Sequence, residues 1–231
     1  ANRAWLELED VWILFHGAGL VSTNGYCSAF KNCKFIFNLA CGAFFNNALN
    51  QTIFDHCTFN YNARRPTEFN DYWTNELGSA NALASGLFVC YDNTPDGPNY
   101  GVTCISCDFS AQGYSSHFVD DCPLFIGDDV DPPCNGFYGN NIYGLHVAGC
   151  YMELNITSSL RIESSKSISI YNSTFINGNV DIGADNTGVI YEGNYHFDNS
   201  PSYTTVCNIS SSTIRRSMYR IYGNVFDTGS S

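Results

Sequence analysis

The stretches "NCKFIFN" (residues 32–38) and "DHCTFNYN" (residues 55–62) share a cysteine, one spacer residue and a phenylalanine. The same signature recurs in "SCDFSAQ" (106–112) and, with methionine in place of phenylalanine, in "GCYMELN" (149–155). Aligning the signature and one further match places these residues in a single column: Phe35, Phe59, Phe109, Met152 and Phe175. Their separations are 24, 50, 43 and 23 residues, so single or double units of about 21 to 25 residues recur.

Short alternating segments lie within these units. "KFIF", "GLFVCY" and "SISIYNSTFI" alternate apolar and polar residues, Gly, Asn, Asp and Pro separate them, and no long stripe has helical spacing. Short strands in units of this length predict an all-β chain that forms a right-handed parallel β-helix, with each unit as one coil. Successive coils are then expected to hydrogen-bond about 4.8 Å apart.

The signature itself is interpreted as packing inside the coils. Its phenylalanines are expected to form one inward column, and its cysteines another: Cys33, Cys57, Cys107 and Cys150. A narrow interior stacks like side chains on like, so small thiols and flat rings can each repeat along the axis. Asn194 and Asn224 occur at or beside the cysteine column and predict a ladder of hydrogen-bonded amides there.

Composition limits the class of protein. The chain has 231 residues, of which 44% are hydrophobic and 14% charged, which argues against disorder. A net charge of -12 disfavours nucleic acid as a partner, and no apolar stretch is long enough to predict membrane insertion. We expect one β-helix domain over residues 1–231, as a fragment of a longer chain, with loop excursions near 63–82 and 93–99.

The eleven cysteines are an odd number and several share one repeat position, which favours stacking over disulfide bonding. Cys104 and Cys107 form a C-x-x-C pair, which raises zinc or redox chemistry as an alternative. Residues three apart on a strand are expected on opposite faces, and no second C-x-x-C completes a tetrahedral site. The histidines show no metal-ligand spacing either, so we predict neither a metal nor a cofactor.

The opening "LEDVWI", "GAG", "NCKFIFN" and "HCTFNYN", with the later "CYMELN" and "RIESSKSISIYNSTFINGN", resembles the pectin-lyase-like β-helix of bacteriophage tailspikes. The resemblance covers nearly the whole chain and is specific to the fold rather than to a catalytic motif. It implies a homotrimer in the phage tail of the virion that acts extracellularly at the host surface. The implied partner is bacterial capsular or O-antigen polysaccharide, which such proteins bind and often cleave as glycosidases or lyases.

The densest acidic segment is "FVDDCPLFIGDDVDPPCNGF" (residues 118–137). One coil of 24 residues onward from Asp129 is Glu153, which follows the inward Met152 and is expected to point outward. Adjacent rungs would hold the two carboxylates about 5 Å apart, as in retaining glycosidases, and a skipped rung about 9.6 Å apart, as in inverting ones. We predict Asp129 and Glu153 as the acid and the base or nucleophile, assisted by Asp128 or Asp121.

Aromatic side chains near predicted turns suggest a carbohydrate surface, because sugar rings present C–H faces that lie on flat aromatic rings. The candidate substrate-binding residues are Tyr72, Trp73, Tyr91, Tyr138 and the cation Arg161. Three other interpretations stay open. The acidic segment is also a typical turn, the tyrosines also suit coil ends or subunit contacts, and the chain also fits a non-catalytic adhesin or structural spike.

Polygalacturonases are a second family with this fold, and four of their motifs occur here in the same order. They are "NTPDG" at Asn93, an Asp pair at Asp120 or after Gly127, "GLH" ending at His146, and "RIE" at Arg161. Each motif departs from the form that the family has, through an inserted Pro95, a displaced His146 and Glu163 in place of lysine. A secreted polysaccharide hydrolase or lyase of this kind is therefore an alternative to the tailspike interpretation.

Overall fold

A computed structural model describes residues 5–23, 27–38, 41–46, 50–62, 85–90, 99–112, 135–155, 158–183, 185–198, 207–209 and 219–227. These residues contain 23 β-strands and no helix. The strands form three parallel sheets, of eight, eight and seven strands.

Sheet 1 contains β1 (Leu6–Glu9), β4 (Ser28–Lys31), β7 (Asn50–Asp55), β10 (Asn99–Ile105), β13 (Ile142–Ala148), β16 (Lys166–Tyr171), β19 (Thr187–Glu192) and β22 (Tyr219–Tyr222). Sheet 2 contains β2 (Trp12–Leu14), β5 (Lys34–Ile36), β8 (Thr58–Asn60), β11 (Asp108–Ser110), β14 (Tyr151–Glu153), β17 (Thr174–Ile176), β20 (Tyr195–Phe197) and β23 (Val225–Asp227). Sheet 3 contains β3 (Ala18–Thr23), β6 (Cys41–Asn46), β9 (Ser85–Cys90), β12 (Asn135–Asn140), β15 (Ser158–Glu163), β18 (Val180–Ile182) and β21 (Cys207–Ile209).

The chain visits sheets 1, 2 and 3 in turn, and each strand pairs with its equivalents one coil before and one coil after. Coil 1 is β1–β3 and the numbering continues to coil 7, β19–β21, and coil 8, β22 and β23. This arrangement is the right-handed parallel β-helix that the repeat predicts. Because every pairing is parallel and in register, a residue's position in one coil fixes its neighbours in the next.

The corner between sheets 1 and 2 is the same in all eight coils. Two residues separate the strands each time, and the first has a positive φ: Asp10, Asn32, His56, Ser106, Gly149, Asn172, Gly193 and Gly223. Asp, Asn and Gly tolerate this left-handed conformation better than other residues, which explains their prevalence there. The second residue then points into the core and begins the column that contains the cysteines.

The predicted ring column is confirmed. Phe35 is in register with Phe59, and Phe109 with Met152, which is in register with Phe175. These side chains have no exposed surface, and neighbouring phenylalanine rings stack with centroids 4.9 Å apart. The column therefore excludes water through the centre of the coils.

The predicted cysteine column is also confirmed. Cys33, Cys57, Cys107 and Cys150 are buried, and each Sγ donates to a backbone carbonyl oxygen of the preceding coil at 3.4–3.5 Å.

Amides continue the cysteine column in coils 7 and 8, as predicted. The backbone N–H of Ser173 donates to Asn194 Oδ1 at 3.0 Å, and that of Asn194 donates to Asn224 Oδ1 at 2.9 Å. Thiols and amides alike thus satisfy buried backbone groups at this corner.

The expected opposite orientation of Cys104 and Cys107 is wrong. Both side chains are buried in the core. Ser106, with φ of 51°, turns the chain between them, so the two residues belong to different sheets rather than to one strand.

A second amide ladder, which the sequence analysis did not identify, follows sheet 2 at its corner with sheet 3. Asn38, Asn62, Gln112 and Asn155 are buried, and each backbone N–H of the first three donates to the side-chain oxygen of the next, at 3.0–3.3 Å. A glycine column lies beside this ladder: Gly19, Gly42, Gly86 and Gly136. A Cβ atom at any of these glycines would lie 2.3–2.7 Å from the carbonyl oxygen of the next coil and 2.9–3.0 Å from a ladder amide nitrogen.

His196 takes the place of a phenylalanine in the ring column. Its imidazole stacks between Phe175 and Phe226, with centroids 5.0 and 4.5 Å away, and a 2.6 Å hydrogen bond joins its Nε2 to the Tyr191 hydroxyl. The Nδ1 atom is buried without a partner. Burial lowers the pKa of His196 from 6.5 to about 4, so the folded protein holds it neutral.

We expect this histidine to make stability depend on pH. The unfolded chain binds a proton near pH 6.5 and the folded chain only near pH 4, so the free energy of unfolding falls as pH drops through that window. The loss between pH 8 and pH 5 is expected to be on the order of 2 kcal/mol. Urea unfolding of the wild type and His196→Phe at both pH values measures it. Equal pH dependence in the two proteins would contradict the assignment.

The predicted loop excursions near 63–82 and 93–99 lie outside the described residues, except for Asn99, which begins β10. The flanking strands nevertheless locate two long connections. Between β8 and β9, and again between β11 and β12, 24 residues join sheet 2 to sheet 3. Both connections therefore begin and end at the same corner, in the adjacent coils 3 and 4.

Candidate functional site

The outer face of sheet 2 changes in character along the β-helix axis. In each three-residue strand the middle side chain points into the core, so the first and third point outward. The outward positions are Trp12, Leu14, Lys34, Ile36, Thr58, Asn60, Asp108, Ser110, Tyr151, Glu153, Thr174, Ile176, Tyr195, Phe197, Val225 and Asp227. Coils 1 and 2 present mainly apolar groups here, coils 3 to 5 are polar, and an aromatic pair follows in coil 7.

The polar part forms one hydrogen-bonded group, which we name the central cluster: Asn60, Asp108, Ser110, Tyr151 and Glu153. Parallel pairing brings these residues together from coils 3, 4 and 5. Asp108 is in register with Tyr151, and Ser110 with Glu153. The two carboxylates are thus diagonal neighbours on adjacent coils. With rungs about 4.8 Å apart and about 3.3 Å per residue, their Cα atoms are separated by about 8 Å.

Asp108 is held by two donors. Asn60 Nδ2 donates to its Oδ2 at 2.7 Å, and Ser110 Oγ donates to its Oδ1 at 2.5 Å. The amide of Asn60 is itself fixed, because its Oδ1 accepts the backbone N–H of Ser110 at 2.9 Å. Donors that hydrogen-bond a carboxylate stabilise its charged form. The arrangement therefore favours an ionised Asp108 in a fixed orientation.

Glu153 has one donor in the cluster. The Tyr151 hydroxyl donates to Glu153 Oε2 at 2.6 Å. Burial, followed by this hydrogen bond and the negative charges of Glu153 and Asp108, raises the pKa of Tyr151 above its usual range. Tyr151 therefore keeps its proton and remains a donor. On its other side Glu153 is in register with the apolar Ile176.

The register corrects one geometric prediction. Ser110 and Ile176 occupy the rung positions on the two sides of Glu153, so Asp129 does not take the adjacent position in this column. The prediction fails because the coil between β11 and β14 contains a long connection, and counting 24 residues back from Glu153 falls within it.

Six of the predicted site residues lie outside the described residues: Asp121, Asp128, Asp129, Tyr72, Trp73 and Tyr91. Glu153 is described and points outward beside the buried Met152, as expected.

Tyr138 and Arg161, predicted to bind substrate, are brought together on the outer face of sheet 3. Arg161 Cζ lies 5.8 Å from the centre of the Tyr138 ring, and the two residues are in register on β12 and β15. Both hydrogen-bond Glu163: the Tyr138 hydroxyl donates at 2.6 Å, and Arg161 donates through Nε and Nη2 at 2.9 and 2.7 Å. The group belongs to a different sheet from Glu153, and its role in binding stays a prediction.

The polygalacturonase-like residues are also separated. His146 lies on β13 of sheet 1, where it contacts Tyr171 edge to face, whereas Arg161 lies on β15 of sheet 3. The described residues therefore do not bring these two motifs to one face.

Aromatic and apolar groups flank the central cluster along the axis. Trp12 in coil 1 is 63% exposed, and Lys34 Nζ lies 4.2 Å from the centre of its ring. In coil 7, the rings of Tyr195 and Phe197 stack with centroids 6.4 Å apart. A polar centre between exposed rings is a typical arrangement for carbohydrate, which offers both hydroxyl groups and C–H faces.

The sequence analysis missed Asp108, Asn60 and Tyr151, although their positions carried a signal. The spacer of the Cys-x-Phe signature is the outward residue between two inward columns, and Asp108 and Tyr151 are two such spacers. Asn60 follows Phe59 as Glu153 follows Met152, in the next outward position. A carboxylate at either position, on neighbouring coils, was readable from the aligned repeats.

Two searches of the described residues found nothing further. No group of three or more His, Cys, Asp or Glu side chains among them is arranged to hold a metal ion. Within the same residues, no helix has the length and apolar character needed to cross a membrane.

Comparison with known proteins gives one weak structural likeness. No protein-family model matches the chain, and no curated protein matches it. A solved structure described as "Glycoside hydrolase" aligns with 91% of this chain at 11% identity, with a TM-score of 0.38. The chain spans 37% of the length of that protein. A likeness at this level carries no argument about activity, so the case for function depends on the central cluster.

Proposed function

We propose that this β-helix binds a bacterial surface polysaccharide along the outer face of sheet 2 and hydrolyses it with Asp108 and Glu153. The observation that carries the proposal is the carboxylate pair: two outward carboxylates on adjacent coils, each held by hydrogen-bond donors, between exposed aromatic rings. Glycoside hydrolases use a pair of carboxyl groups on either side of the bond that is cleaved.

The unequal environments assign the two roles. Asp108 accepts two side-chain hydrogen bonds and Glu153 accepts one from Tyr151, so the charged form of Asp108 is the more strongly stabilised. Asp108 therefore acts as the base that activates water. Glu153, beside the apolar Ile176, supplies the proton to the leaving oxygen. This pairing replaces Asp129 by Asp108 as the partner of Glu153.

The separation of the carboxylates predicts the stereochemical outcome. A Cα separation of about 8 Å is compatible with the 6.5–9.5 Å carboxyl distance that leaves room for a water, and so predicts inversion at the anomeric carbon. Digestion of purified capsular and O-antigen polysaccharides, followed by proton NMR of the first reducing ends, measures the anomer formed. Retention of configuration would exclude this pair as the catalytic residues.

The same digestion separates the other classes of protein. Unsaturated products that absorb near 235 nm would indicate a lyase. Binding without new reducing ends would indicate a non-catalytic adhesin or structural spike. Neither binding nor cleavage across the collection would contradict the proposal as a whole.

For the biological setting, we propose a homotrimeric phage tailspike or receptor-binding protein on the virion that acts at the host surface. The resemblance to tailspike β-helices supports this, and so do the thiols of the cysteine column, which are free and suit assembly in a reducing cytoplasm. Static light scattering of the purified chain tests the trimer, since a monomer would favour the secreted polysaccharide enzyme.

A further inference from the structure

The outer face of sheet 2 has a pronounced charge imbalance. Its sixteen outward positions, all within the described residues, carry three carboxylates and one cation, Lys34. Two of the carboxylates, Asp108 and Glu153, belong to the central cluster. Lys34 stands two rungs from Asp108 in the same column, about 9.6 Å away, and lies over the ring of Trp12. No described cation on this face therefore contacts the carboxylate pair.

The sequence around this face adds to the imbalance. Residues 63–84 and 113–134, which connect sheet 2 to sheet 3 in the two coils that supply Asn60 and Asp108, contain eight acidic and two basic residues. The whole chain carries a net charge of -12. An anionic glycan approaching the pair thus meets like charge both at the site and over the molecule as a whole.

We infer that the central cluster selects neutral glycans and rejects those that bear carboxylates. The inference rests on the proposed function, and it narrows the substrate class to uncharged polysaccharide. A uronate beside Asp108 or Glu153 brings like charges together without a compensating cation, which weakens binding of that ligand specifically. Neutral sugars incur no such penalty and still use the hydroxyl, amide and aromatic groups of the face.

The same imbalance argues against β-elimination at this site. That reaction removes the proton next to a uronate carboxyl group, and charge develops on this group in the transition state. A cation close to it normally stabilises the charge. Hydrolysis by a carboxylate pair requires no such cation, so the charges of the described face favour hydrolysis.

The first test uses an array of capsular and O-antigen polysaccharides sorted into neutral and carboxylate-bearing groups. Binding and release of reducing ends confined to the neutral group are expected. Cleavage mainly of carboxylate-bearing glycans would overturn this inference and leave the proposed function intact. No binding or cleavage in either group would remove the proposed function, and the inference with it.

The second test isolates charge on one backbone. The neutral glycan that binds best is oxidised at its primary alcohols to carboxylates, and both forms are titrated at 50 and 500 mM NaCl. The oxidised form is expected to bind at least about tenfold more weakly at 50 mM, with the difference shrinking at high salt because ions screen the repulsion. Tighter binding of the oxidised form at low salt would overturn the inference.

Thr174→Lys places a cation on this face, in register with Tyr151, and Thr174→Gln is the uncharged control of similar length. At 50 mM NaCl the lysine variant is expected to recover at least about threefold in affinity for the oxidised glycan, with the glutamine variant unchanged. An equal response of the two variants would show that the discrimination arises elsewhere, which overturns the assignment to this face. Circular dichroism confirms that both variants are folded.

Discussion

Glu153→Gln is expected to lower kcat for polysaccharide cleavage by at least about 10³-fold, which is within the contribution of a well-placed general acid. The amide keeps the size of the side chain and can still accept the hydrogen bond that Tyr151 donates at 2.6 Å. It has no acidic proton for the leaving oxygen. Affinity for the intact glycan should stay within about threefold of the wild type, because the binding surface is preserved. Initial rates of reducing-end release and isothermal titration measure the two quantities.

Glu192→Gln is the matched control, because Glu192 is a carboxylate on the outer face of sheet 1, paired with Arg220 at 3.5 Å. It removes one negative charge from the same fold, and turnover is expected to be unchanged. Wild-type turnover in Glu153→Gln would exclude Glu153 as the acid. An equal loss in both variants would point to overall charge rather than to a catalytic role.

Gly42→Ala is expected to lower the free energy of unfolding by about 3 kcal/mol or more, at the upper end of overpacking effects. The new Cβ would lie 2.5 Å from the Gly86 carbonyl oxygen and 2.9 Å from Asn62 Nδ2. The carbonyl belongs to the next coil, and Asn62 Nδ2 already donates to the Phe35 carbonyl oxygen at 2.8 Å, so neither group can move without breaking hydrogen bonds. Urea unfolding measures the loss.

Gly183→Ala provides the comparison, since its Cβ would approach the Ile162 carbonyl oxygen only to 3.5 Å, an ordinary contact, and its φ is not reported in the left-handed region. A change within about 0.5 kcal/mol is expected for this variant. Similar losses in the two variants would mean that the close approach of coils at the glycine column contributes little.

The fold was predictable because its signal repeats. Phe35, Phe59 and Phe109 recur at one position, and each recurrence supports the same interpretation of an inward column. Parallel pairing then makes every coil a copy of the last. The glycine column carried a weaker signal: Gly19, Gly42, Gly86 and Gly136 precede different residues, and their shared role appears only when the amide ladder lies beside them.

The site was predictable only in part, because counting residues fails where coils differ in length. Glu153 was identified through its place after the inward Met152, which is a local relation. Its partner was sought at a fixed interval, and the long connection after β11 moved the true neighbour from Asp129 to the column of Asp108. The hydrogen bonds of Asn60 and Tyr151 depend on three coils at once, so no single stretch of sequence shows them.

The two corners that flank sheet 2 differ in how much variation they accept. Two residues always separate sheet 1 from sheet 2, whereas the passage from sheet 2 to sheet 3 ranges from three residues to 24. The first corner works as a fixed hinge pin, since one added residue there would reverse which side chains enter the core. The second is a port at which peptides of foreign sequence can be grafted beside the carboxylate pair, so new specificities can be built without altering the scaffold.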